Sequence, residues 1–478
     1  MGVAGSAMGS VAIAARNMGF DVLGSDTAVY APMSHILHSH GIRWYNGYSE
    51  QNIMDATPDL VVVGNAISRG NAELEYVLDQ RLPITSMASF VATHLIGRSK
   101  SIVVAGTHGK TSTSSMLTWM LDQAGRAPGF LIGGAPRSFD VSCRPCRAGQ
   151  DSDHNEIFVV EGDEYDTAYF DKRSKFVHYR PWHFIINNIE FDHADIFTDL
   201  ESIVQSFVHG IRLVPRSGIV LVNADDANAM RAVHQAKPLA AVQTVGTVND
   251  ATWQIADVDR SATHSEWSLL HGGNLHGRFR TAEAGLHSIR NASMAIASTS
   301  NLGVDAASQS RSLESLLLPK RRLEELGSWK GRIVVDDFAH HPTAILVTID
   351  AVRQRYPSRR ICAVFEPRSN TSTRSIFQLQ FEQCFSAVTA LILGPVNRAE
   401  RYAPNERLDV ESIVGSYRQR GIPTHAVNAA SLQGAPWGAS VLPFLEEMSA
   451  EGDVVLLLSN GNVGGLREVL LQGYATSE

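Results

Sequence analysis

The 478-residue chain carries 41 Lys and Arg against 49 Asp and Glu, a formal net charge of −8 spread without a basic stripe, which argues against nucleic acid or anionic membrane as the main partner. Hydrophobic residues make up 44%, enough for large cores, and the length suggests about three domains. The four cysteines cannot build a disulfide framework; Cys143 and Cys146 form a lone CxxC without the second pair of a zinc site, and read as free thiols in a loop. No apolar run approaches the ~18 residues of a membrane span. In the apolar opening the first basic residue, Arg16, follows the apolar stretch instead of preceding it, so a cytoplasmic protein is expected.

Along the chain, Gly2, Gly5 and Gly9 lead into an alanine-rich helical pattern, and Val22 to Asp26 reads as a strand ending in an acidic residue. This outlines a dinucleotide-type βαβ unit, although such glycines serve tight helix–sheet packing equally well. Only Met1 precedes Gly2, so the strand feeding this loop is nearly absent. A strand at Leu60 to Val63 completes a first α/β unit, with a boundary near Gly97 and Arg98. A second region begins at Ser101, with strands at Ile102–Ala105, Ile157–Val160 and Phe184–Ile186, and a small antiparallel patch from Ala251 to Arg280. The polar stretch from Arg144 to Glu156 reads as a mobile loop. A third unit starts around Lys320, with strands at Ile333–Val335, Ile361–Val364, Ala390–Leu393 and Val454–Leu458. Strands alternating with helical stretches predict an α/β fold with mostly parallel sheets.

The run Gly106-Thr107-His108-Gly109-Lys110-Thr111 follows an apolar strand and opens a helix carried by Met116, Leu117, Met120, Leu121 and Ala124. It reads as a phosphate-binding loop: glycines turn backbone N–H groups toward an anion, the helix start adds its positive end, Lys110 supplies a point charge, and Thr111 can ligate Mg²⁺. Val104 stands where the full GxxxxGK[ST] pattern has its first glycine, so a plain strand-to-helix turn is the competing reading. Three polar clusters follow strand ends, where open parallel sheets place ligands. Glu161 to Asp166 holds four carboxylates in six residues, either a solvated turn or hard oxygen ligands for the metal that a phosphate loop needs. Asn187 to Asp195 sets His193 among carboxylates, as a surface pair, a metal ligand or an orienting base. Asp336 to Pro342 could be a helix cap preceded by acids or a third set of site residues.

Together and in this order these features resemble the Mur ligase family of ATP-dependent amide-forming ligases, over nearly the whole chain. Gly64 to Asn71, Phe170 to Phe176, Glu190 to Phe197, Asp336 to Leu346 and Glu366 to Thr371 are most similar to the branch that joins UDP-N-acetylmuramate to L-alanyl-γ-D-glutamyl-meso-diaminopimelate, the murein tripeptide. The resemblance implies three domains: a Rossmann-like UDP-sugar-binding domain at 1–98, a central P-loop-type ATPase at 99–318, and a Rossmann-like amine- or peptide-binding domain at 319–478. It implies ATP and Mg²⁺, catalytic Lys110, Glu161 and His193, and metal ligation by Thr111, Glu161 and His193. ATP would be held by Gly106, Thr107, His108, Gly109, Lys110 and Thr111, with His287 and Asn291 toward adenine, Arg322 toward the phosphates, Asp337 toward the ribose and His340 nearby. Gly5, Met8 and Gly9 would cradle the UDP diphosphate with Ser25 and Asp26 near uridine, and Arg368 would meet a peptide carboxylate.

Some residues depart from the family pattern. Ser288 stands where Asn is common, Gly162 where Ala is common, and the Cys143–Glu156 stretch is long; no lysine occurs from Asp192 through Ser217, where many relatives carry a carbamylated one, an absence that fits the muramate-accepting branch. A monomer or weak homo-oligomer is expected. The rivals are a UDP-N-acetylmuramate:L-alanine ligase, a kinase, and a non-catalytic nucleotide-binding module, the last of which leaves Glu161 and His193 without a purpose.

Overall fold

The computed structural model describes residues 1–30, 33–134, 136–146, 156–428, 432 and 435–472. At the N-terminus, helix α1 (Ser6–Asn17) precedes two parallel strand pairs: β1 (Leu23–Asp26) with β2 (Arg43–Asn46), and β3 (Val61–Val63) with β4 (Ile84–Ser86). The residues ahead of α1 form a seam between the pairs. Gly2 N–H donates to Ser25 O (2.8 Å), the Met1 ammonium donates to Val62 O (2.9 Å), and Gly64 N–H donates to Met1 O (3.2 Å). Glycines let this seam close: a Cβ on Gly24 would lie 2.6 Å from Val3, and one on Gly9 would lie 2.8 Å from Met33 Sδ.

The central sheet is built on β5 (Lys100–Ala105), whose loop leads into α2 (Lys110–Gln123). Around it stand β6 (Gly129–Leu131), β7 (Cys143–Arg144), β8 (Ile157–Gly162), β9 (His183–Ile186), β10 (Ile219–Asn223) and β11 (Ala241–Gly246). β12 (Trp253–Arg260), β13 (Ser265–His271) and β14 (Asn274–Thr281) follow, giving ten strands in the order β14-β13-β12-β11-β10-β9-β5-β8-β6-β7. Strands β6, β8, β5, β9, β10, β11 and β12 pair in parallel; β7, β13 and β14 are antiparallel to their neighbours. The antiparallel patch expected from Ala251 to Arg280 is formed by β12, β13 and β14, and β12 joins β11 in parallel through Val245 and Gly246, so the patch extends the main sheet. Cys143 sits in a strand, buried, rather than in a loop, and both members of the CxxC are free thiols. Residues 147–155 of the expected mobile loop lie outside the described residues.

The apolar runs of β5, β8 and β9 are read directly by burial on both faces, as a covered parallel sheet requires. Val103 and Ala105 point to one core layer, Ile102 and Val104 to the other, where Met116, Leu117, Met120 and Leu121 of α2 pack. On the first face α3 (Leu200–Arg212), started by an Asp199/Ser202 capping box, lays Phe207 against Phe176 at 5.3 Å between ring centroids. Gly210 allows that approach, since a Cβ there would stand 2.8 Å from Phe184. Gly162 has the same explanation: the common Ala would bring its Cβ to 2.6 Å from Val103 Cγ1.

Helix α4 (Leu286–Ser300) closes the central domain. The C-terminal sheet contains β15 (Glu324–Trp329), β16 (Arg332–Asp337), β17 (Ile361–Phe365), β18 (Ala390–Leu393), β19 (Thr424–Ala426) and β20 (Val454–Leu458), in the order β15-β16-β20-β17-β18-β19. Only β15, which the sequence pattern does not reveal, runs antiparallel. Helix α5 (Pro342–Arg355) follows β16, with Pro342 in its first turn and His341 as its cap. Among the described residues no helix is long and apolar enough to cross a membrane.

His183, at the start of β9, is 1% exposed and stacks on Trp182 with centroids 4.2 Å apart. Burial, aided by the charge of Lys100, pushes its imidazole down to about 4. Between pH 6.5 and 4 the unfolded chain therefore takes a proton that the folded one refuses, and stability falls as pH falls through that window. His183→Asn is expected to flatten part of the fall in melting temperature across it; slopes identical to the unmodified chain would contradict the assignment. Phe207→Ala should lower stability by about 3–5 kcal/mol, read as a lower thermal transition.

Candidate active site

The loop after β5 leads through α2 to β6 on the β8 side, whereas the chain leaving β9 goes on to β10 on the other side, so the C-terminal ends of β5 and β9 flank a topological switch point. Gly106 has φ +137 and no room for a side chain, with Asn188 N and O each 3.1 Å from a Cβ position. Gly109, at φ +82, caps α2 under Asn291, whose Oδ1 would be 2.5 Å from a Cβ. The cradle differs from a simple ring of inward amides. Thr107 N–H donates to Asn188 O (3.2 Å) and His108 N–H to Asn188 Oδ1 (2.8 Å). Donors left for an anion include the amides of Lys110, Thr111 and Ser112, which precede the first intrahelical bond, Thr113 to Gly109. Asn187 and Asn188 thus hold the loop in shape; their position after β9 is the signal that marks them.

Lys110 Nζ donates to Gly106 O (2.7 Å) and to Glu164 Oε2 (2.8 Å). The other oxygen of Glu164 lies 3.2 Å from His193 Nε2. Glu164, 1% exposed, therefore bridges two of the three expected catalytic side chains, and it lies inside the acidic run that marked this segment. Burial would push Glu164 up, but the charge of Lys110 and the bond and charge of His193 outweigh it and hold the carboxyl below its usual value. Burial likewise opposes the charged forms of Lys110 and His193, yet the neighbouring carboxylates keep both above their ordinary values. His193 adopts φ +53, a left-handed conformation uncommon outside glycine, stabilised by its N–H on Asp192 Oδ1 (2.7 Å).

Glu161 stands apart from this triad. Its Oε2 accepts the Thr111 hydroxyl (3.2 Å) and its Oε1 accepts Gly133 N–H (2.9 Å). Burial, then the charge of Asp163, pushes it up to about 8, whereas the charges of Lys175 and Lys110 overcome burial and hold Asp163 down at about 2. A hydroxyl and a carboxyl whose charge lacks a partner form a donor set suited to a hard cation such as Mg²⁺. Of the three expected metal ligands, Thr111 and Glu161 come together, while His193 turns its Nε2 to Glu164.

A cavity of about 1050 Å³ unites these groups with the C-terminal domain. Lys110, Glu161 and His193 line it, as do His287, Asn291, Arg322, Asp337, His340 and Arg368. His287 is half-buried with its Nδ1 enclosed and unpartnered, and desolvation pushes its imidazole down to about 4. Ser288 back-bonds to Ala284 O (3.3 Å) at the cavity wall. Arg322 lies over the Phe338 ring at 5.5 Å. Asp337 accepts Leu323 N–H (2.8 Å) and Ala339 N–H (2.9 Å), so it fixes the junction while retaining lone pairs for a ligand. His340 is held by Phe338 O (3.0 Å) and lowered by burial. Arg368 is half-exposed beside Glu366 (3.5 Å).

The N-terminal set forms its own cluster. Asp26 Oδ2 accepts Ala4 N–H (2.9 Å), Gly5 N–H donates to Gly2 O (3.2 Å), and Ser25 Oγ donates to buried Glu73 (2.6 Å). Gly5, Met8, Gly9, Ser25 and Asp26 do not line the large cavity, which Ser6, Ala7 and Met87 reach from this domain. Gly9 serves close packing here. Glu73, which ties Ser25 to Asn52 (2.5 Å), carried no sequence signal beyond an acidic helix start.

Residues 1–98 match the family model for the Mur ligase family, catalytic domain, residues 104–299 the Mur ligase middle domain, and residues 321–461 the Mur ligase, glutamate ligase domain. The chain is 38% identical over 480 residues to the UDP-N-acetylmuramate--L-alanyl-gamma-D-glutamyl-meso-2,6-diaminoheptandioate ligase of Escherichia coli (strain K12), covering 99% of this chain and 97% of that one. The Haemophilus influenzae protein of the same name is 38% identical over 475 residues, 98% of this chain and 97% of its own. Among solved structures, the murein peptide ligase of Psychrobacter arcticus 273-4 superposes with a TM-score of 0.74 at 32% identity, covering 100% of this chain and 98% of that one.

Glu164→Gln removes the negative charge that keeps Lys110 protonated against burial. The lysine pKa is expected to fall, and its rate of acylation by an amine-selective reagent at mildly alkaline pH, followed by peptide mass spectrometry, should rise several-fold; an unchanged rate would contradict the bridge.

Proposed function

The chain belongs to the Mur ligase family, and from that premise we propose that it joins the lactyl carboxylate of UDP-N-acetylmuramate to the alanyl amine of L-alanyl-γ-D-glutamyl-meso-diaminopimelate, with ATP converted to ADP and phosphate. The observation that carries this reading is one cavity lined by Lys110, Glu161 and His193 together with C-terminal Arg322, Asp337 and Arg368. The domain limits proposed are 1–98, 99–318 and 319–478, and the location a cytoplasmic one.

A free carboxylate is a poor electrophile, so transfer of the γ-phosphoryl group to it makes an acyl phosphate; the amine then forms the C–N bond, the C–O bond to phosphate breaks, and the ammonium proton is released. The amides of Lys110, Thr111 and Ser112 at the start of α2 bind phosphate oxygens, and Lys110 Nζ turns toward them from Gly106 O while Glu164 keeps it charged. Thr111 and Glu161 would hold Mg²⁺, which when bound neutralises charge on the phosphates and the reacting oxygens. His193, oriented by Glu164, lies beside the carboxylate to be activated. His287 and Asn291 contact adenine, Asp337 takes the ribose with His340 adjacent, and Arg322 reaches the phosphates across the junction. Gly5, Met8, Ser25 and Asp26 hold the UDP end, with Gly9 letting α1 pack close enough to present them, and Arg368 pairs with a peptide carboxylate in fork geometry.

Incubation with UDP-N-acetylmuramate, ATP, Mg²⁺ and either the tripeptide or free L-alanine, followed by product mass and ADP release, tests the reading. The tripeptide adduct is expected to dominate; preference for L-alanine, or phosphate left on a stable product without amine, would overturn it. Lys110→Ala and Glu161→Ala should each slow turnover on the order of a thousandfold, about 4 kcal/mol of transition-state stabilisation. Near-normal rates at saturating ATP and Mg²⁺ would remove those roles.

A further inference from the structure

At the seam between the central and C-terminal domains, three side chains to which the mechanism above gives no chemical step, one of them from the ATP-holding loop, converge. His108 projects from the phosphate loop, Glu190 follows β9, and His341 caps α5. One ligand atom of each, a His nitrogen or a carboxylate oxygen, lies within 4.8 Å of the others. Glu190 Oε2 is 3.6 Å from His108 Nε2 and 3.4 Å from His341 Nδ1. Those separations are close to the ~3.3 Å edge of a tetrahedron whose ligands stand ~2.0 Å from a central ion.

The hydrogen bonds set the tautomer. His341 Nε2 lies 3.2 Å from Phe191 O, and a carbonyl oxygen can only accept, so Nε2 carries the proton and Nδ1 presents a lone pair. That is how metal-binding imidazoles are oriented, with the second ring N–H on a backbone carbonyl. The lone pair therefore faces a carboxylate oxygen with no proton between them. The Thr343 amide reaches the same nitrogen only at 3.4 Å, a long contact that ligation would displace. His108 Nε2 is itself buried without a hydrogen-bond partner. A buried, unbonded His108 nitrogen, the Glu190 oxygen and the His341 nitrogen thus point at one another across the domain seam.

We propose that His108, Glu190 and His341 form a binding site for a borderline divalent cation of the Zn²⁺ class, bridging the central and C-terminal domains. Two imidazoles and one carboxylate select such an ion over Mg²⁺, which demands oxygen ligands. His108 and Glu190 also line the large cavity, so the fourth position opens toward solvent or ligand, as in sites with three protein ligands. Two ligands belong to one domain and the third to the other, so the bound ion clamps the junction.

The test is calorimetric titration of the full chain with ZnCl₂ in excess Mg²⁺, paired with Co²⁺ absorption spectra. One Zn²⁺ per chain, a rise in melting temperature on binding, and the intense visible bands of four-coordinate Co²⁺ are expected. His341→Asn keeps a capping side chain on α5 and Glu190→Gln keeps the shape; each should bind at least roughly tenfold more weakly, while His341→Asp, which restores both a cap and a ligand, should bind more tightly than His341→Asn. Metal-free melting curves establish that the variants fold. Absence of Zn²⁺ uptake by the unmodified chain, or equal uptake by His341→Asn and Glu190→Gln, would overturn the site.

Discussion

A buried carboxylate between two groups that burial alone would strip of their protons is the constraint on which this site depends. Glu164 contacts Lys110 at 2.8 Å and His193 at 3.2 Å, and without it the low-dielectric interior favours a neutral lysine and a neutral imidazole. A neutral amine would be a poor counterion for a triphosphate. The same carboxylate sets where both side chains point, so charge and position have one cause. Its neighbour Glu161 has the reverse environment: burial beside Asp163 raises it to about 8, leaving a carboxyl that becomes fully anionic only when positive charge arrives. Two glutamates three residues apart thus take opposite parts because one faces a lysine and the other a hydroxyl.

The fold explains why these groups meet. Parallel β5, β8 and β9 deliver the phosphate loop, the acidic run and the Asn187–Asp195 segment to one edge of the sheet, and the C-terminal end of β16 brings Asp337 and His340 opposite. Ties such as Arg374 Nη1 to Ala194 O (2.8 Å) and Asn370 Nδ2 to Asp195 Oδ2 (2.7 Å) join the domains close to His193. The activated carboxylate and the amine that attacks it must be desolvated together, and a cleft formed from several domains achieves this without burying the substrates permanently.

Much of this was legible in the residues. Continuous apolar runs located β5, β8, β9, β16, β17, β18 and β20, since strands covered on both faces need no polar alternation, and the clusters after them located the cavity wall. What stayed hidden depends on register. That Asn188 would engage the Thr107 and His108 amides follows only once β9 pairs beside β5. That Glu164, rather than another of its acidic neighbours, joins Lys110 to His193 requires the turn of chain after β8. Edge strand β15 carries too few apolar residues to stand out, and the Met1–Val3 seam is too short for periodicity. The opposed lone pairs of Glu190 and His341 emerge only when two domains pack.

Oxygen tracing tests the central claim most directly. If UDP-N-acetylmuramate labelled with ¹⁸O in its lactyl carboxylate is turned over with ATP and the tripeptide, the acyl phosphate route predicts that each phosphate released carries one ¹⁸O, because the oxygen that joined carboxyl carbon to phosphorus leaves with phosphorus. Amide formation accompanied by unlabelled phosphate would contradict it.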